Sequence, residues 1–123
     1  MEWQFDNERP IYSQLVDILK LKIVSGEYKP GERLPSVRDI SSEAGVNPNT
    51  MQRAMQELEN QNLVLTQRTA GRFVTEDKER VEMTREELAE GHIQSFVKLM
   101  EQLGYSKSRL IALLAAKIGE VKE

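Results

Sequence analysis

Hydrophobic positions recur at helical spacing along most of this chain, with one short interval in which they alternate. Pro10 to Ser25 carries Ile11, Leu15, Ile18, Leu19 and Ile23 on one broad face, as an amphipathic helix packed on a core requires. Pro10 suits its first turn, and Lys20 and Lys22 fall where solvent is expected. Gly26 closes this helix, and Glu27 to Arg33 reads as a loop around the turn pair Pro30-Gly31. Ahead of it, Trp3 and Phe5 alternate with polar residues in an arm whose aromatics should pack on the body.

The stretch from Ser36 to Arg53 predicts two short helices joined by a tight turn. Ser36 caps the first, with Asp39 three residues on as the acidic part of a capping box. Val37, Ile40 and Ala44 share its inner face. Gly45 breaks it in the left-handed conformation, and Asn47-Pro48 starts the next helix as N-cap and first helical residue. Met51, Ala54, Met55 and Leu58 form the second inner stripe, to about Asn60 or Gln61, with Asn62 as a left-handed cap. Leu63 to Arg68 and Arg72 to Thr75 then read as paired strands about a Thr69-Ala70-Gly71 turn, with Phe73 the expected inward anchor.

From Glu76 runs a charged connector, EDKERVE, a solvated helix start or a linker, and then Thr84 with Glu87 in a second capping-box pattern. Leu88, Ile93, Phe96, Val97, Leu99, Met100 and Leu103 follow at helical spacing. Gly104 ends that helix, Ser106 caps the next, and Leu110, Ile111, Leu113, Leu114, Ile118 and Val121 make the last amphipathic stretch. Two antiparallel helices cannot bury this much apolar surface between themselves. The surplus, Phe96, Leu99, Met100, Leu103, Leu110, Leu113, Leu114 and Ile118, is expected to form a seam with a second copy about a two-fold axis. The competing reading folds the hairpin back onto its own winged domain. The architecture expected is therefore mainly α with a small β-hairpin wing. A winged helix-turn-helix domain spans residues 1–75, and a C-terminal two-helix dimerisation hairpin spans 76–123.

Composition narrows the chemistry. The chain has 123 residues, no cysteine and one histidine, His92. Disulfide and thiolate chemistry are excluded, and one histidine among unpatterned glutamates suggests neither a metal site nor a catalytic triad. No enzyme, metal or cofactor is expected. The N-terminus lacks the pattern of a leader, no apolar run approaches a membrane span, and a cytoplasmic location is the default. Gly26-x-x-x-x-Gly31 superficially resembles a phosphate loop, but Glu32 and Arg33 stand where that loop needs Lys and Ser/Thr.

The net charge of −3 argues against a nucleic-acid partner only in sum. Residues 1–75 hold nine Lys/Arg against ten Asp/Glu. A near-neutral domain suits weak, salt-sensitive nonspecific binding through a few placed cations. The helix after the turn carries Asn49, Gln52, Arg53 and Gln56 away from its apolar stripe. Asn and Gln hold adenine by paired hydrogen bonds, Arg holds guanine or phosphate, and the helix start offers free N–H groups to a phosphate. The bland reading is a solvated helix face. Arg68 and Arg72 flank the hairpin tip, where a wing behind a recognition helix meets the DNA backbone or minor groove; a plain surface hairpin with solubilising arginines is the alternative.

Residues 10–75 resemble the GntR family of bacterial transcriptional regulators. The resemblance is carried by Pro10-Ile11-Tyr12, Gly26 with Pro30-Gly31, Leu34-Pro35-Ser36-Val37-Arg38, Gly45-Val46, Asn49-Thr50, Arg53-Ala54, Leu58-Glu59 and Gly71-Arg72-Phe73-Val74. It covers a little over half of the chain. It implies DNA contacts from Arg38, from Asn47, Pro48, Asn49, Thr50 and Gln52, from Arg53, and from the wing tip at Arg68, Thr69, Gly71 and Arg72. Ser36 and Thr50 are expected on phosphates, Asn49 and Gln52 on bases. Thr69 and Asn62 stand where many members have glycine. The short two-helix tail is similar to that of the YtrA-like branch, which implies a homodimer on a pseudo-palindromic double-stranded DNA operator. It also implies control of a neighbouring transporter operon, often with the regulator's own gene, and repression is expected over activation because so small a dimer has little surface for recruiting polymerase. The 48 residues after the wing are too few for a large effector domain, though a small-molecule effector of unknown identity has room between elements, with His92 and Tyr105 as weak candidates. The other class of function is a winged module that binds protein rather than DNA.

Overall fold

The computed structural model describes residues 2–121. Five helices and one hairpin follow in the order α1 (Ile11–Val24), α2 (Val37–Ala44), α3 (Pro48–Asn60), β1 (Val64–Gln67), β2 (Gly71–Val74), α4 (Lys78–Gln102) and α5 (Lys107–Ile118). By its internal contacts the chain divides into two units, one up to Glu86 and one from Glu87. The division falls within α4, past the expected 75/76 boundary, because the first turns of α4 belong to the winged unit: Val81 packs on its core and Thr84 is fully buried.

That core is built from α1, α2 and α3. Leu15, Leu19, Ile40, Met51, Met55 and Leu58 are fully buried, as the helical spacing requires. Leu34, Leu63, Val64 and Val74 close it from the loop and hairpin. Trp3 and Phe5 pack against it, as expected of the arm. Gln14 on α1 secures that arm, accepting from Asp6 N at 2.9 Å and donating to the Asp6 and Arg9 carbonyls at 3.0 and 2.7 Å. Pro10 sits at the N-cap of α1 rather than inside it. Lys22 is not solvated: it is 4% exposed, lies 4.5 Å from the Trp3 ring and pairs with Glu27 at 2.6 Å. Its stem runs over the aromatic surface that the arm brings in, so the ammonium gains a ring face and a carboxylate in place of water.

The helix ends follow their cap residues. Ser36 Oγ accepts from Asp39 N at 3.1 Å and Asn47 Oδ1 from Asn49 N at 2.8 Å. Gly45 has a φ of 71° and Asn62 one of 61°. At the end of α3, Asn62 N donates to Glu59 O and Leu63 N to Leu58 O, the paired bonds that leave Leu63 and Leu58 stacked in the core.

Two expectations fail here. The helix expected at Thr84 begins at Lys78, since Asp77 Oδ1 accepts from Glu79 N and Arg80 N and so caps it earlier. Thr84 lies mid-helix, where its hydroxyl donates to Arg80 O at 3.0 Å. Lys, Glu and Arg are good helix formers, and a run of them does not stop a helix. Phe73 is not the inward anchor. The register Val64↔Val74 and Leu65↔Phe73 puts the two valines inside and Phe73, half-buried, on the opposite face.

In the second unit, α4 ends at Gln102 and the chain turns at Gly104, whose φ is 96°, with Tyr105 N donating to Met100 O. Ser106 caps α5 through Arg109 N. Ile93, Phe96 and Leu99 on α4, Leu103 just after it, and Ile111, Leu114 and Ile118 on α5 are exposed, Leu103 at 72%. Leu110 alone among the large apolar residues of α5 is buried, at 6% exposure.

Candidate nucleic-acid interface

Three elements of the winged unit surround one open groove of about 420 Å³. Ser36 and Val37 come from the start of α2, Gln52 from α3, and Thr66, Gln67, Arg68, Gly71 and Arg72 from the wing, with Arg33, Leu34 and Pro35 along the base. Five residues singled out in the sequence thus meet there: Ser36, Gln52, Arg68, Gly71 and Arg72. Asn47, Pro48, Asn49 and Thr50 form the cap and first turn of α3, where the Pro48 ring displaces no hydrogen bond and Asn49 is exposed. Arg38 is exposed on the first turn of α2. Arg53 does not line the groove; its guanidinium lies 4.3 Å from the Tyr12 ring of α1. Thr69 takes the wing tip without a left-handed backbone, since Asn62 is the one non-glycine residue with positive φ among those described.

The wing is held against α3 by a polar clamp. Arg72 and Thr66 face each other across the strands and both reach Glu59: Arg72 Nε donates to Glu59 Oε1 at 2.6 Å and the Thr66 hydroxyl donates to the same oxygen. Burial pushes the Glu59 carboxyl up, but the hydrogen bonds from Thr66 and Arg72 and the charge of Arg72 outweigh it, and its pKa lies below the ordinary 4.5. Because the folded value is the lower one, this stabilisation is present above pH 4.5 and is lost as pH falls through the folded value. Glu59→Gln, which keeps an acceptor but no charge, should remove that acid-sensitive part, about 1 kcal/mol or less for a partly exposed pair. Urea midpoints of both proteins at neutral pH and below 4.5 check this; the difference between them should shrink in acid.

Two residues, Arg33 in the groove and Glu59 beside it, do not stand out in the sequence. Glu59 was seen only as part of the family pattern. Arg33 stands at the end of the expected loop, yet residues 32–34 run along β2: Leu34 N donates to Arg72 O, Val74 N to Glu32 O, and Arg33 forms an isolated antiparallel bridge with Phe73. The sequence signal for this bridge is only the polar-apolar step from Arg33 to the buried Leu34. His92 is exposed on α4, and Tyr105 lies under the Arg109 guanidinium at 5.0 Å. Among the described residues no group of three or more His, Asp or Glu is placed to hold a metal ion, and no helix is long and apolar enough to cross a membrane.

Two helices joined by a left-handed turn, the second of them flanked by a hairpin that is pinned to it, define a winged helix-turn-helix DNA-binding domain. The chain belongs to the GntR family: the sequence model of bacterial regulatory proteins of the gntR family matches residues 11–74. Its relatives extend the likeness beyond that domain. The uncharacterized HTH-type transcriptional regulator YhcF of Bacillus subtilis (strain 168) is 38% identical over 90% of this chain and 92% of its own length. The HTH-type transcriptional repressor YtrA of the same organism is 33% identical over 76% of this chain and 68% of its own. A GntR family transcriptional regulator from Listeria monocytogenes superposes with a TM-score of 0.82 at 37% identity, covering 96% of this chain and all of that one. The protein is a transcriptional regulator with a DNA-binding domain, not an enzyme.

Proposed function

We propose that the protein is a homodimeric, cytoplasmic repressor that binds a pseudo-palindromic double-stranded DNA operator. The observation that carries this reading is the groove in which the start of α2, Gln52 of α3 and the arginines of the wing meet. In it, α3 enters the major groove of the DNA with Asn49 and Gln52 on base edges, while Arg38 and Arg53 read bases or hold phosphates. Ser36 and Thr50 hold phosphates, and the wing tip, Arg68, Thr69 and Gly71, meets the adjoining backbone or minor groove. Arg72 works mainly through Glu59, setting the wing's position, with its terminal amino groups left for the DNA.

Dimerisation rests on the apolar stripes of α4 and α5. Ile93, Phe96, Met100 and Leu103 recur at helical spacing, as do Ile111, Leu114, Ile118 and Val121, and nearly all are exposed. A self-complementary face of this kind suits a two-fold partner, and two-fold symmetry requires half-sites about one helical turn apart, roughly 34 Å. Of the expected seam, Phe96, Leu99, Met100, Leu103, Leu113, Leu114 and Ile118 remain its members. Leu110, already buried, acts within the single chain. Repression is favoured by the small surface available for recruiting polymerase and by the repressor activity in the name of the YtrA relative. A neighbouring transporter operon and the protein's own gene are the proposed targets.

Selection from random DNA tests this reading. It should return an inverted repeat, and Gln52→Ala should then relax the preference at one position per half-site, costing about 1–3 kcal/mol on the best sequence. Selection that enriches no sequence at all favours the second reading, a winged module that binds protein, to which the near-neutral charge of residues 1–75 is suited.

A further inference from the structure

The three arginines of the groove are in different electrostatic situations. Arg72 is paired with Glu59 and only about one-fifth exposed. Arg68 is exposed in the turn that follows β1. Arg33 is exposed, has no ion pair among the described residues, and has a backbone anchored to the wing. Its backbone bridges Phe73, and the next residue donates to Arg72 O at 2.9 Å. Its guanidinium lies along Gly71, where a Cβ would come within 3.2 Å of Nε and 3.6 Å of Nη2. The wing therefore has no side chain where Arg33 crosses it, and Gly71 has a φ of 105° that a larger residue would rarely adopt. The result is an exposed planar cation, without an ion pair among the described residues, that lies against Gly71 in the groove between α2 and the wing.

The geometry points to Arg33 as a phosphate-holding residue of the DNA interface, a role that rests on the DNA-binding reading above. A guanidinium offers a phosphate two parallel N–H donors in a fixed fork. Its partner is a backbone phosphate of the strand that passes between α3 and the wing. Arg72 is the weaker candidate for that phosphate, since Glu59 already balances its charge. A contact to phosphate positions the protein and carries no sequence information, so its loss must be felt on every DNA alike.

The test uses the full chain, as wild type, Arg33→Gln and Arg33→Lys, titrated against the selected operator and an unrelated duplex across a salt series. Arg33→Gln should lower affinity about tenfold per half-site near 0.1 M salt, by a similar factor on both duplexes, and reduce the log–log salt slope by about one per half-site. Arg33→Lys should keep the slope and recover part of the affinity. Wild-type binding with a slope that Arg33→Gln leaves unchanged overturns the inference, whether affinity falls or not, because a residue that only braces the wing releases no counterion. A loss confined to the operator also overturns it, since that would be base reading. Wild-type protein that binds neither duplex removes the DNA-binding reading itself, and this inference with it.

Discussion

Leu114→Asp is expected to fold as a monomer and to lose operator binding by about 10²–10⁴-fold, the avidity that linking two half-site contacts supplies. Leu114 is 40% exposed in the single chain, so an aspartate there remains in water until a second copy arrives. In the seam the same carboxylate would be desolvated with no partner, and an unpaired buried charge is strongly destabilising. Folding and association thus separate at this position. Leu110, 6% exposed on the same helix, is the contrasting site: an aspartate there should unfold the tail itself. Sedimentation reads the oligomeric state and circular dichroism the helix content. A Leu114→Asp protein that stays a stable dimer would place the seam elsewhere.

The second large effect lies in the core of the winged unit. Leu58→Ala should cost about 2–5 kcal/mol, the range for emptying a buried leucine site. Leu58 is fully buried, and its carbonyl accepts from Leu63 N in the turn that leads from α3 into the wing. The cavity would open where recognition helix and wing meet the core. A domain of this size has only about 5–15 kcal/mol in total, so a large share of its stability is at stake. Leu65→Ala on the outer face of the wing, half-exposed, should stay within about 0.5 kcal/mol. Urea midpoints measure both, and equal shifts in the two variants would contradict the placement of the core.

The order and faces of the helices were legible in the sequence because local rules dictate them. Met51, Ala54, Met55 and Leu58 recur at the helical period, Ser36, Asn47 and Ser106 cap what they precede, and Asn62 takes the left-handed turn that its short side chain tolerates. What escaped was decided by partners distant in sequence. Lys22 looks like any solvated lysine until the arm lays Trp3 over it. Arg33 looks like loop until it pairs with Phe73. Arg72 reads as a free wing cation until Glu59, on the neighbouring helix, claims it. Phe73 was misassigned for a different reason: strand period fixes only which residues share a face, and burial against the body decides which face turns inward. Ser36, Gln52, Arg68, Gly71 and Arg72 of the candidate groove were therefore legible in the sequence, while Arg33 and the division of labour among the arginines were not.

The groove of Ser36, Gln52, Arg33 and the wing is the proposed DNA-binding surface. Fluorescence anisotropy of the purified protein on DNA from upstream of its own gene, across a salt series and beside unrelated DNA, tests it most directly. Tight binding that prefers the upstream segment and weakens steeply with salt is the expected result. Equal, weak and salt-insensitive binding to both duplexes would contradict it.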